Sequence, residues 1–164
     1  VANSILKKVG MGRLTPMKLQ KLIYFAHGWT LAIRNRPLVD ESVEAWDWGP
    51  VFPTVYHTFK DYGNSPIEGL CSEFQYGSDG WDLLTPEIPT EDKETHKLIE
   101  KVLKEYGKFT AAQLSNLTHL EGTPWKLIRP DDSGERGAKI PAKFIRDYFI
   151  KIGSVRNSEE HEGS

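Results

Sequence analysis

The chain has 164 residues, 38% of them hydrophobic and 27% charged, with a net charge of -2. A single domain of this size buries a real core, so disorder is excluded for its body, and the near-neutral balance gives no long-range pull on phosphate, so general nucleic-acid binding is disfavoured. The lone Cys71 forms no intramolecular disulfide, as expected in a reducing cytoplasm, and no apolar run approaches the roughly twenty residues a membrane-crossing helix needs.

Ile5, Leu6 and Val9 have the spacing of a short amphipathic helix that Gly10 and Gly12 stop. Thr15 is placed to cap the next helix, Pro16 suits its first position, and Leu19, Leu22, Ile23, Ala26, Trp29 and Ile33 recur at helical spacing over Met17 to Asn35. Tyr24, Phe25, Leu31 and Ala32 widen that face almost to the full circumference, which predicts a helix at the centre of the domain. Leu38 to Trp48 reads as an extended arm, with Val43, Ala45 and, at its end, Trp48 facing inward. Gly49-Pro50 turns the chain, and Pro53 starts a helix with Val55, Tyr56 and Phe59 on its inner stripe.

Phe74 and Tyr76 alternate with polar residues, Gly77-Ser78-Asp79-Gly80 is turn chemistry, and Trp81 and Leu83 resume the alternation, so Glu73 to Leu84 is predicted to be a β-hairpin. Two strands alone are marginal in water, so this hairpin is expected to pack on the helices or on a partner. Thr90 is the expected cap of a helix burying Leu98, Ile99, Val102, Leu103 and Tyr106. Thr110-Ala111-Ala112-Gln113 fits a capping box for another helix running to about His119. Asp131 to Gly137 reads as an exposed loop, and Pro141 begins a last helix carrying Phe144, Ile145, Tyr148, Phe149 and Ile152. The fold expected is mainly α, one helical domain over 1–153 with the hairpin inserted at 73–84, and a disordered tail over 154–164.

No cofactor is expected. The five histidines fall in no HExxH pattern, Cys71 has no neighbouring thiol, and neither GxxxxGK[ST] nor GxGxxG occurs, so metal and nucleotide binding are unsupported. His27, on an apolar helix, reads as a satisfied core histidine, and His119 as a side chain fixing a helix junction. A hydrolase or nucleotide-processing enzyme built around His119, Glu121 and Glu44 lacks a nucleophile-base motif. Lys7, Lys8, Arg13, Lys18 and Lys21 concentrate positive charge, which fits a solvated face better than an acidic partner.

Trp46 and Trp48 fall on one side of an extended arm, and both core packing and partner contact fit them. Trp48, Gly49, Pro50, Phe52 and Tyr56 together make a rigid aromatic turn of the kind protein interfaces use, so they are the partner-binding candidates. Gln20 and Tyr24, one helical turn apart, are placed to hydrogen-bond Glu44 across to the arm.

The run Lys18 to Trp29, the segment Glu44 to Tyr56 with Glu44-Ala45-Trp46 and Gly49-Pro50, the element Thr118-His119-Leu120-Glu121-Gly122-Thr123-Pro124-Trp125 and the closing Ile145 to Phe149 together resemble the signature of the Panacea, or SocA-like, family. Gln20, Tyr24, Glu44, Trp46, His119 and Trp125 are its signature positions here. The resemblance implies an antitoxin whose partner is a cognate toxin, bound by protein contact and without catalysis; composition and charge point to no membrane and disfavour nucleic acid. A phage or prophage protein acting on a host factor is the alternative. The hairpin matches no family motif and is where partner specificity is expected to vary.

Overall fold

The computed structural model describes residues 1–131 and 136–162, the side chains of 156–162 apart. Seven α-helices and two small antiparallel sheets run through the described residues. They are α1 (Ala2–Val9), α2 (Pro16–Arg34), β1 (Val43–Trp46), β2 (Gly49–Val51), α3 (Pro53–Phe59), β3 (Glu73–Gly77), β4 (Gly80–Leu84), α4 (Lys93–Tyr106), α5 (Ala111–Thr118), α6 (Pro124–Ile128), β5 (Ala138–Ile140) and α7 (Ala142–Glu162).

Helix α2 is the axis of the molecule. Thr15 accepts the amide of Lys18 in its first turn, Pro16 takes the first position, and Asn35 closes it in a left-handed conformation at φ 52°. Leu19, Leu22, Ile23 and Ala26 are fully buried. Phe25 stacks on Tyr106 of α4 at 4.1 Å, and Phe149 of α7 meets Tyr24, Phe25 and Trp29 edge to face. Gly28 lets α7 come this close, since a Cβ there would lie 2.2 Å from the Phe149 ring. Among the described residues no helix is long and apolar enough to cross a membrane.

The mainly α expectation is corrected by the sheet β2-β1-β5, which is built into the body beside the helices. What read as a lone arm is β1, paired antiparallel with β2 on one side and with β5 on the other, in register Glu44 to Val51 and Val43 to Ile140. Strands of three and four residues are too short to show an alternating pattern, and the β5 partner lies far along the chain. β1 also ends at Trp46, so the alternation stops there and Trp48 is turned outward, 70% exposed, instead of inward.

The second sheet is the predicted hairpin, with Phe74 opposite Leu83 and Tyr76 opposite Trp81. Its strands do not pack on the helices: Glu73 to Tyr76 and Trp81 to Leu84 are all exposed. Its base is held by Asn3 of α1, whose amide donates to Cys71 O and Pro86 O at 2.8 and 2.9 Å while its oxygen accepts the Cys71 amide.

Several helix ends fall where expected, including the Thr110–Gln113 capping box. The cap of α4 is Asp92, not Thr90, because the Asp92 carboxylate accepts both the amide and the hydroxyl of Thr95. The backbone of α7 continues to Glu162, through residues for which low apolar content predicts no regular structure. The expected loop at Asp131 to Gly137 falls largely outside the described residues, as do Gly163 and Ser164.

Candidate functional site

Three helices converge on the segment from Trp46 to Phe52, and each contributes side-chain donors to its carbonyl groups. Trp125 Nε1 of α6 donates to Trp46 O at 2.7 Å, and Ser115 Oγ of α5 donates to Trp48 O at 2.8 Å. From α2, Lys21 Nζ donates to Pro50 O at 3.1 Å and Gln20 Nε2 to Phe52 O at 2.9 Å. His119 Nε2 faces Asp47 O at 3.2 Å, its other nitrogen lies 2.7 Å from Ser115 O, and its ring packs on Trp125 at 3.9 Å. A buried carbonyl without a donor costs about 1–3 kcal/mol, so these contacts together hold the turn in one shape.

Lys21 is the unusual member. It is 1% exposed, on a helix otherwise apolar nearly all round, and desolvation pulls its pKa down from 10.5 to about 7. The turn above it closes only because position 49 is glycine. Its φ is 106°, and a Cβ would sit 2.6 Å from both Lys21 Nζ and Thr118 Oγ1.

On this frame Asp47 and Trp48 form a ridge between two clefts. One, of about 440 Å³, is walled by Trp46, Tyr56, Lys21 and Arg136; the other, of about 430 Å³, by His119, Trp125 and Arg129. Arg129, nearly buried, donates to the Asp47 carboxylate at 2.8 Å and holds its pKa below the usual value. Trp46 packs edge to face on Tyr56 at 4.7 Å, with the Arg136 guanidinium 4.9 Å from its ring centre. The arrangement offers an exposed aromatic side chain on a held backbone, with a recess on either side. That is a geometry for gripping a complementary surface.

The expected residues divide clearly. Of the five partner-binding candidates, Trp48 and Tyr56 reach the surface, while Gly49, Pro50 and Phe52 are buried and form the frame. Gln20 does not reach Glu44: its two amide atoms bind the Phe52 backbone, and Glu44 instead accepts Trp46 Nε1 at 2.8 Å. Tyr24 belongs to the aromatic core. His27 is the satisfied core histidine expected, accepting the Val39 amide through Nδ1 at 3.3 Å.

Sequence reasoning placed Lys21 on a solvated face, where the structure instead buries it, and missed Ser115 and Arg129. A charged residue inside an all-round apolar helix was the available signal for Lys21; nothing local marked the other two. The N-terminal lysines are not a docking face. Lys7 and Lys8 pair with Glu87 and Glu100, and Lys18 Nζ donates to Gly107 O at 2.8 Å. Around His119 the contacts are structural, since neither ring nitrogen is directed at a carboxylate and exposed Glu121 lies 4.0 Å from Lys126. Among the described residues, no group of three or more His, Cys, Asp and Glu side chains is placed to hold a metal ion.

Comparison with known proteins adds a relationship to this geometry. The family model described as antitoxin SocA-like, Panacea domain matches residues 19–126, which include most of α2, the clamped turn, the hairpin and Trp125. Antitoxin SocA of Caulobacter vibrioides (strain NA1000 / CB15N) is 37% identical over 153 residues, an alignment covering 91% of this chain and 80% of that protein. No solved structure matches.

Proposed function

The chain belongs to the SocA-like, Panacea-domain antitoxin family, and from that premise we propose that it binds a partner toxin and neutralises it by protein–protein contact. The observation that carries the reading is the pairing of an exposed tryptophan with a fully restrained backbone. Trp48 is 70% exposed, yet its carbonyl is held by Ser115 and the residues after it are buried. Large exposed aromatics on rigid frames bind partners with little entropy loss, and isolated folding gives no reason to leave such a side chain in water.

Trp48 and Tyr56 are the contact residues in this reading, the two clefts receive the partner, and Gln20, Lys21, His119 and Trp125 keep the turn in its binding shape. The family relationship favours a non-enzymatic role.

The test is co-expression with the product of the adjacent gene, if that product arrests growth when expressed alone. The intact protein restores growth, and Trp48→Ala with Tyr56→Ala loses rescue while keeping its circular dichroism and melting temperature. Rescue by the double variant at full strength removes these residues from the interface, and failure of the intact chain to protect removes the antitoxin reading.

A further inference from the structure

The hairpin is the most exposed apolar feature of the molecule. The β3–β4 register puts Phe74, Leu83, Tyr76 and Trp81 on one face, and these four side chains are 62% to 72% exposed. Tyr76 and Trp81 already pack edge to face at 5.4 Å, so the face is ordered before anything covers it. With three aromatics of the usual size it presents roughly 500 Å² of apolar surface, the size of a monomer's largest patch, which is often functional. Asn3 fixes where this arm points by bonding both of its ends.

Charge identifies the occupant. Between Lys60 and Lys93 the chain carries eight carboxylates and no Lys, Arg or His, whereas the whole chain is nearly balanced at -2. Glu73, Asp79 and Asp82 stand on the hairpin itself and Glu68 precedes it, while Glu87, just beyond it, is neutralised by Lys7. A second copy in a two-fold arrangement would set this acidic patch against itself, and nucleic acid or an anionic lipid surface would meet the same repulsion.

We infer that the hairpin is a toxin-recognition arm whose target is a protein surface with an apolar centre rimmed by lysine and arginine. The inference rests on the antitoxin reading and adds the chemistry of the partner. Burial of the aromatic face supplies affinity, while the carboxylates speed encounter and reject partners lacking the basic rim.

The experiment measures binding of the full chain to the purified protein encoded beside it, at low and high salt. Two variants accompany the wild type: Tyr76→Ser with Trp81→Ser, and Glu73→Lys with Asp82→Lys. The wild type binds, the aromatic variant binds at least about tenfold more weakly, and the charge variant associates more slowly and loses most of the salt dependence, both with unchanged melting temperature. If the wild type binds and both variants bind as tightly with the same salt dependence, the arm is not the contact and the inference falls while the antitoxin reading stands. Absence of wild-type binding overturns both. Self-association of the wild type that either variant abolishes assigns the face to a second copy and overturns the inference.

Discussion

Gln20 and Phe52, thirty-two residues apart, are joined by two hydrogen bonds, Gln20 Nε2 to Phe52 O at 2.9 Å and the Phe52 amide to Gln20 Oε1 at 3.0 Å. One primary amide thus binds both backbone polar groups of a fully buried residue at the exit of the aromatic turn, where Phe52 O also accepts the Tyr56 amide at 3.0 Å. A side chain here replaces a strand partner.

Gln20→Leu is predicted to destabilise the fold by about 1–3 kcal/mol, because it strands the buried Phe52 N–H, whereas Phe52 O keeps the Tyr56 amide as a donor. Urea unfolding measures this. A loss below about 1 kcal/mol would mean that water reaches the Phe52 backbone and that the amide is not its only support.

Gly49→Ala should destabilise by about 2–4 kcal/mol, combining left-handed backbone strain with a clash that mutational cost scales place in that range. The added methyl must displace Lys21 Nζ or Thr118 Oγ1. Gly122, at φ 78° with open space around it, isolates the backbone contribution. If the two glycines are equally tolerant of alanine, crowding over Lys21 plays no part.

Lys21 makes stability depend on alkaline pH. Its folded pKa near 7 lies below the unfolded 10.5, so between these values the unfolded chain holds the extra proton and stability rises with pH. Below about pH 7 both forms are protonated and the full penalty of burying the ammonium remains. Lys21→Met should remove a rise on the order of 3–5 kcal/mol across that window. Chemical denaturation of both proteins from pH 6 to 10 reads the difference, and parallel profiles would refute it.

His27 acts in the acid range. Burial lowers its pKa from 6.5 to about 4, so the neutral ring is favoured in the fold, and its contribution is present above pH 6.5 and lost as pH falls toward 4. His27→Gln retains an acceptor for Val39 and should flatten roughly 3 kcal/mol of that acid sensitivity. Imidazole titration followed by NMR gives an independent check: a midpoint near 6.5 in the folded protein would contradict the burial argument.

Elements whose signals are local could be read before the structure was known. The cap and proline of α2, the Thr110 box and the hairpin over Glu73 to Leu84 each depend on residues within a few positions of one another. The sheet β2-β1-β5 could not, because Pro50 sits inside β2 and β5 is three residues long, and its pairing spans most of the chain. At the site, the aromatic turn was visible as composition, but which of its residues face water was decided by where β1 stops. Lys21, Ser115 and Arg129 reach the turn from helices whose docking no local pattern specifies.

The pairing of Val43 with Ile140 and the cover that Phe149 gives Gly28 set an order of events during synthesis. β1 and α2 leave the ribosome well before the residues that complete the sheet and close the helix packing. Of the donors for the aromatic turn, Gln20 and Lys21 come with α2, and Ser115 and Trp125 arrive between the two stages. A nascent or prematurely terminated chain therefore presents an open strand edge and a bare apolar helix in place of a finished binding surface. The aromatic turn is thus held in its final shape only once β5 and Phe149 have been made.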